Sequence, residues 1–389
     1  MDLTASARPG PLVAPGPELD ADSAARARRQ ITLPGFGDLA QRRLRAARVL
    51  VIGAGGLGSA VVPYLAGAGI GRIGIIDDDT VELSNLHRQV AHGTADIGRG
   101  KVDSIADSVA ALTPHTTVDR HAFRLTAANA LELFREYDLV IDGSDNFPTR
   151  FLANDAAELT GIPLVWGAIL QYSGQVGVAW HAHGSGYRDL FPEPPDASEV
   201  LDCATGGVLP GLCGTVGSLL ATEAMKLITG IGEPLIGRVL VYDALAARTR
   251  ELRVNRDPLR APATHLVDAS LACAAPDPAA ASSPVPGAEL LDGAGLVSRL
   301  RAGDVRLIDV RSLAEHAERR LRDSECVPLD LIEAGAPVSG PVVLYCERDP
   351  RSQRAATALI ARGAVDVAIL RGGIDAFARL APELIERGQ

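Results

Sequence analysis

Between residues 48 and 142 short apolar runs alternate with longer stretches whose apolar positions recur every three to four residues. The runs Arg48-Val-Leu-Val-Ile52 and Arg72-Ile-Gly-Ile-Ile76 have no polar side, which suits strands covered on both faces. The pattern predicts strands over 48–53, 72–77, 117–121 and 138–142 and helices over 57–69, 101–112 and 127–136. That rhythm is of repeated βαβ units, a mostly parallel sheet with helices on both sides. A strand near 163–168 and an alternating stretch over 175–180 extend it. Residues 183–207 follow, rich in proline and glycine and too long for a simple connector. A helix over 211–229 and strands over 238–242 and 249–254 close this first domain.

Residues 274–287 contain four prolines and no run able to bury itself. Beyond them the alternation resumes: helix 294–301, strand 305–309, helix 312–320, strand 341–345, helix 351–362, strand 366–369, helix 374–381. The expected organisation is a disordered extension over 1–24, a first domain over 25–258, a linker over 259–287 and a smaller α/β domain over 288–389.

Composition narrows the partners. A chain of 389 residues with 47% hydrophobic residues can fill two cores. Its formal net charge of -10 argues against nucleic acid or an anionic membrane surface. No apolar run reaches the ~18 residues of a membrane helix. Five cysteines with no close-spaced pair fit neither a disulfide framework nor a zinc knuckle, so a reducing, cytoplasmic setting is expected.

The first candidate site begins at Gly53-Ala-Gly55-Gly56-Leu-Gly58, between a strand and a helix. Its glycines fall where the chain turns, where backbone approaches phosphate and where helix meets strand. Asp77 follows at the ~20-residue spacing of a ribose-binding acid. The glycines alone equally suit a nicotinamide-dependent oxidoreductase. Hydride transfer, however, needs no cations around phosphate, whereas nucleotidyl transfer must bring a carboxylate to a polyphosphate. Arg88 can supply a planar fork and Lys101, one of only two lysines, a point charge. Asp142 and Asp145 sit past a strand end, where ligands collect in open α/β sheets. Asp145 is the candidate for Mg²⁺; Asp142 equally suits a helix cap.

These segments resemble the ubiquitin-activating-enzyme-like adenylyltransferases, the MoeB and ThiF group, in the MoeZ-like form with a fused rhodanese domain. The matching pieces are Arg28-Arg29-Gln30-Ile31, Gly53–Gly58, Asp77-x-Asp79, Ser84-Asn85-Leu-x-Arg88-Gln89, Gly100-Lys101-Val, Asp142-Gly-Ser-Asp145-Asn146, Phe191-Pro-Glu-Pro-Pro and Tyr242-Asp-Ala-Leu. The resemblance implies a Rossmann-like adenylation domain that binds ATP and Mg²⁺. Its implied substrate is the C-terminal glycine of a small ubiquitin-like sulfur-carrier protein ending Gly-Gly. It implies that Gly53, Gly55, Gly56, Gly58, Asp77 and Asp79 bind nucleotide, that Asn85, Arg88 and Lys101 hold phosphate, and that Asp145 serves the metal. Arg29 would reach the site from the other subunit of a homodimer.

In the second domain Cys346 ends an apolar strand and Arg351 opens a helix, so backbone N–H groups between them can form an anion nest that favours a thiolate or persulfide. Glu347 and Asp349 would put negative charge beside the sulfur, and Pro350 removes one N–H. Leu307-Ile-Asp309-Val-Arg311, Cys346–Arg351 and Leu370-Arg-Gly372-Gly373 resemble the rhodanese family. That implies a Cys346 persulfide, loaded by a donor such as a cysteine desulfurase or thiosulfate, and a thiocarboxylate on the carrier as product. Cys203 matches the mobile-loop cysteine of the adenylyltransferases. Through it a ubiquitin-like conjugation activity, with the rhodanese domain as docking module, is the alternative. Cys213, on an apolar helix, reads as core.

The MoeB-like zinc cysteines are missing. Their positions fall at Gly186, Asp189 and about Arg260 and Ala263, while His181 and His183 offer too few ligands. No zinc is expected, with the 183–207 loop held by packing.

Overall fold

A computed structural model describes residues 9–194, 207–267, 285–302, 305–338, 340–347 and 350–387. The chain divides into two compact units, residues 1–274 and 275–389.

The first unit is built on an eight-stranded sheet of order β3-β2-β1-β4-β5-β6-β7-β8. Its strands are β1 (Arg48–Ile52), β2 (Arg72–Ile76), β3 (Thr117–His121), β4 (Leu139–Asp142), β5 (Leu164–Leu170), β6 (Ser173–Ala179), β7 (Arg238–Asp243) and β8 (Arg248–Arg253). The first five are parallel, and β6 to β8 continue antiparallel. Helices α1 (Ala21–Arg26), α2 (Arg28–Ile31) and α3 (Gly37–Ala46) precede the sheet, followed by α4 (Gly58–Ala68), α5 (Lys101–Leu112), α6 (Ala130–Arg135), α7 (Phe147–Thr160) and α8 (Pro210–Thr229).

Strand β1 shows why its sequence is apolar throughout. Val49 and Val51 enter one core, with residues of α3, α4, α5 and α8, while Leu50 and Ile52 enter the other, with α6 and α7. Alternate residues of a strand face opposite sides, so a strand between two helical layers needs both sides greasy. The strand order reverses direction at β1, between β2 and β4. A crevice opens there at the carboxyl ends, the place where such sheets bind ligands.

Three differences from the sequence reading have physical causes. Residues 9–24, expected as disordered, are in part tied down: Leu12 N–H donates to Leu227 O at 3.0 Å, and Leu12 and Val13 pack on the first core. Helix α7 lay outside the predicted set, although Asn146 caps it by accepting Thr149 N–H and Gly161 ends it in the left-handed region. The expected linker starts too early at 259, because Arg260 belongs to the first unit's buried polar network.

In the second unit five parallel strands run in the order β12-β10-β13-β14-β9. They are β9 (Ala288–Leu291), β10 (Arg306–Asp309), β12 (Glu325–Cys326), β13 (Val342–Tyr345) and β14 (Val367–Leu370). Helices α9 (Gly293–Ala302), α10 (Leu313–Glu318), α11 (Leu329–Glu333), α12 (Pro350–Ile360) and α13 (Gly373–Leu380) flank them, and β11 (Arg319–Leu321) pairs antiparallel with β15 (Ile385–Arg387). The two-residue β12 and three-residue β11 and β15 carry too few positions for a period-two pattern to register.

Candidate functional site

The glycine-rich turn links β1 to α4. Gly53 sits at φ 90°, and a Cβ there would press on Gly143 O at 3.2 Å. A Cβ at Gly58 would run into Gly53 O, so the third glycine lets helix and turn pack. Around the turn lies a cavity of about 580 Å³, lined by Gly53, Gly55, Gly56, Asp77, Asp79, Arg88, Lys101 and Asp145 among others. Eight of the residues singled out from sequence thus meet at one crevice. Gly58, Asn85 and Arg29 are not in its lining. Asn85 Oδ1 instead accepts Glu82 N–H at 3.1 Å, and Arg29 is exposed on α2.

Asp77 accepts two backbone donors, Ala54 N–H at 2.7 Å and Asp79 N–H at 2.8 Å. Burial pushes its carboxyl above the usual carboxylate range, against the pull of the Lys101 charge. Lys101 opens α5. Its side chain is buried and its Nζ donates to Asp79 Oδ2 at 2.8 Å. Arg88 Nη1 donates to Ser84 O at 3.1 Å. Asp145 stands exposed at the rim.

Asp142 does not cap a helix. It is wholly buried, burial raises its carboxyl, and its Oδ1 accepts Ser144 N–H at 2.9 Å while Asn146 caps α7. Arg150, buried in α7, donates to Ser144 O at 3.1 Å. Three residues carried no assigned role in the sequence reading. Gln89 is 3% exposed, lines the cavity and leaves Oε1 without a partner; His92 and Arg150 brace the turns. Only for Arg150 was there a signal, a polar side chain followed by the buried apolar run Phe151, Leu152 and Ala153.

The cavity suits a nucleotide on its own features. Its volume lies within the ~300–1,000 Å³ of small-ligand sites. The α4 amino terminus with its glycines forms a cradle that side chains would fill, as phosphate requires. Gln89 Oε1 is a buried acceptor without a partner among the described residues. The carboxylates of Asp77, Asp78 and Asp79 offer oxygens within 4.8 Å of one another, and Asp145 faces the same crevice, a hard-oxygen set of the kind Mg²⁺ takes.

At the four expected zinc positions the structure holds a buried ion cluster. Arg260 forks onto Glu158 at 3.0 and 2.9 Å and reaches Asp189 at 3.1 Å. Asp189 also accepts Gly186 N–H at 2.6 Å and Asp257 N–H at 3.1 Å. The His181 ring occupies the space a side chain at 186 would need. The described part of the 183–207 loop is therefore held by charge as well as packing, a correction to the expectation. Burial would raise the Glu158 and Asp189 carboxyls; for Glu158 the Arg260 bonds, and for Asp189 the backbone donors with Arg260, instead hold them below their usual range.

In the second unit Cys346 follows β13 and is buried, with its Sγ 3.6 Å from Ser352 Oγ. Gly373, at φ 57°, lets the α13 turn pass over the Cys346 carbonyl, which accepts Ile374 N–H at 2.9 Å. Glu347 does not stand as a free charge beside the sulfur. It bridges Arg311 at 3.0 Å and Arg319 at 2.6 Å. Arg351 forks onto Glu315 at 2.9 and 2.8 Å; burial alone would raise that carboxyl, but with these bonds it falls to about 2. Cys326 is half-buried and burial pushes its thiol up to about 11; Cys213 is core. Arg348 and Asp349, the middle of the expected nest, lie outside the described residues, as do Cys203 and Cys273.

A glycine cradle with its own cations at a sheet switch point, and a strand-end cysteine in a separate five-stranded unit, define a nucleotide-binding enzyme domain joined to a rhodanese-like one. The ThiF family model matches residues 27–261 and the rhodanese-like domain model residues 294–380. The chain belongs to the ThiF family, in the two-domain form of an adenylyltransferase and sulfurtransferase. It is 44% identical to the probable adenylyltransferase/sulfurtransferase MoeZ of Mycobacterium tuberculosis over 96% of this chain and 98% of that protein. It is 52% identical to a sulfur carrier protein adenylyltransferase of Thermus thermophilus over 59% of this chain and 87% of that one. Among solved structures, E. coli MccB with ATP shares the fold, with a TM-score of 0.55 at 20% identity over 63% of this chain and 75% of that chain. No helix among the described residues is long and apolar enough to cross a membrane.

Replacing Arg260 by Met leaves two buried carboxylates without their cation and is expected to cost about 3–5 kcal/mol in denaturant unfolding at pH 7. Both carboxyls titrate lower in the folded state than in the unfolded one. Their stabilisation is thus complete above about pH 5 and is lost as pH falls through the folded values. The gap between wild type and variant should therefore narrow below about pH 4; a gap independent of pH would count against the cluster.

Proposed function

We propose that this chain adenylates the C-terminal glycine of a small ubiquitin-like sulfur-carrier protein with ATP, releasing pyrophosphate, and that the outer sulfur of a Cys346 persulfide then attacks the activated carboxyl, displacing AMP to give an acyl disulfide from which a second thiol, itself oxidised to a disulfide with Cys346, releases the thiocarboxylate. The observation that supports this most is the gathering of Gly53, Gly55, Gly56, Asp77, Asp79, Arg88, Lys101 and Asp145 around one crevice at the sheet's switch point. The names of the relatives point to the same substrate class.

In this reading Asp77 binds ribose, and the α4 amino terminus and glycine N–H groups take phosphate. Two anions must meet when the carrier carboxylate approaches the α-phosphorus. Arg88 and Lys101 offset that repulsion and the charge on departing pyrophosphate. Lys101 is poised for this because its partner Asp79 lies at the rim and can release it to a stronger anion. Asp145 would hold Mg²⁺, which supplies further charge neutralisation. Asn85 acts on the fold of the 82–85 turn, and Arg29 serves a neighbouring subunit's site in a homodimer. Cys203 is retained as a candidate acceptor from the acyl-adenylate. The protein works in the cytoplasm, with a cysteine desulfurase persulfide or thiosulfate as sulfur source.

Lys101→Ala is expected to lower carrier-dependent pyrophosphate exchange by about 10²-fold or more, the usual loss for a charged transition-state contact. Near-normal exchange would remove the adenylation assignment. Cys346→Ser should keep that exchange and fail to make thiocarboxylate, read by intact mass of the carrier; wild-type product formation would mean that sulfur arrives by another route. Because Gly186, Asp189, Arg260 and Ala263 stand at the zinc positions, elemental analysis of the purified protein should find no stoichiometric zinc. One zinc per chain would overturn that.

A further inference from the structure

Ala54, inside the glycine-rich turn, is wholly buried, and both of its backbone polar groups are taken by side chains. Its N–H donates to Asp77 Oδ2 at 2.7 Å. Its carbonyl lies 2.9 Å from His92 Nε2. A carbonyl only accepts, so Nε2 carries the proton. The other ring nitrogen, Nδ1, lies 2.8 Å from Ser104 Oγ. His92 and Ser104 are 6% and 2% exposed.

Ser104 sits one turn into α5, the helix that Lys101 opens. Lys101 in turn is tied to the acidic loop through its backbone N–H on Asp79 O at 3.0 Å and its Nζ on Asp79 Oδ2 at 2.8 Å. Asp79 N–H returns to Asp77 Oδ1 at 2.8 Å. The hydrogen bonds close a circuit: cradle, His92, α5, Lys101, acidic loop, cradle. His92 does not line the cavity, so it touches no ligand there.

We propose that His92 is a positioning residue for nucleotide binding: its ring spaces the glycine cradle from the lysine helix so that backbone N–H groups and the Lys101 ammonium reach one polyphosphate together. A fixed spacing matters because misplacing a binding group by about 1 Å can cost 10²-fold. An imidazole suits the task, since it is rigid and presents a polar nitrogen on each of two opposite edges. The inference rests on the reading of this cavity as the nucleotide site and is independent of the carrier and sulfur steps.

The test uses the full chain and MgATP alone, titrated by calorimetry, with thermal melting in parallel. His92→Gln keeps an amide donor for Ala54 O and an acceptor for Ser104, and should bind MgATP within about threefold of wild type. His92→Leu keeps bulk but no polar atom, and should bind at least about tenfold more weakly while melting close to the Gln variant. Ser104→Ala leaves His92 in place without its anchor and should weaken binding by about threefold, a probe that serves even if the Leu variant does not fold. In wild-type protein with ¹⁵N-labelled histidine, the signal absent from His92→Gln should be that of a ring protonated at Nε2. Equal MgATP affinity in wild type, His92→Leu and Ser104→Ala, or a ring with no proton on Nε2, would overturn the proposal. No MgATP binding by the wild type would overturn it together with the nucleotide reading of the cavity.

Discussion

The first unit's binding end depends on a carboxylate gripping backbone. Asp77, at the end of β2, takes N–H groups from the cradle and from its own loop, and so joins two segments that share no strand pairing at that point. Without that carboxylate the buried Ala54 N–H would face the interior unpaired, at a cost of about 1–3 kcal/mol. The cradle would then be free to take other shapes. A nucleotide site made of backbone must hold its backbone still, and a side chain from the next strand does so here.

The same device recurs across the crevice. Ser144 in the turn after β4 has its N–H held by Asp142 and its carbonyl by Arg150, as Ala54 is held by Asp77 and His92. Each turn at the switch point is gripped on both sides of one residue. Burial pushes the carboxyls of both gripping acids upward, against the pull of the donors fixed in the fold. Between the two gripped turns stand the residues with freedom to respond to a ligand: Arg88, Asp79 and Asp145.

Much of this was legible in the chain. Strands β1, β2, β4 and β5 follow from apolar runs of strand length, because a sheet covered on both faces leaves a near-continuous greasy signature. Strands β11, β12 and β15 were not legible, since two or three residues hold no period. Helix α7 was missed although Asn146 and Gly161 mark its ends; its polar residues Arg150, Asn154 and Asp155 are buried, which blurs the amphipathic stripe. Motif spacing located Gly53, Asp77, Lys101 and Asp145 on one crevice because each stands at the end of an element whose order the fold dictates. It could not foresee the Arg260 cluster: Glu158, Asp189 and Arg260 are far apart in sequence, and each alone reads as a solvated surface charge. Glu347 illustrates the same limit, since a charge beside a cysteine says nothing of which guanidiniums face it.

The scarcity of lysine carries a chemical consequence. An acyl-adenylate is an electrophile that any free amine can intercept, and the amine in greatest supply near a protein's own active site is usually lysine. This chain has Lys101 and Lys226 alone; the first is buried on Asp79, and the second is paired with Glu223 and donates to Glu233 O. Its other long cations are guanidiniums, which stay protonated and do not acylate. Apart from Lys101, the positive charge that steadies phosphates and loops is thus supplied by groups inert toward the mixed anhydride, and the enzyme presents little of itself for the product of its first step to mark.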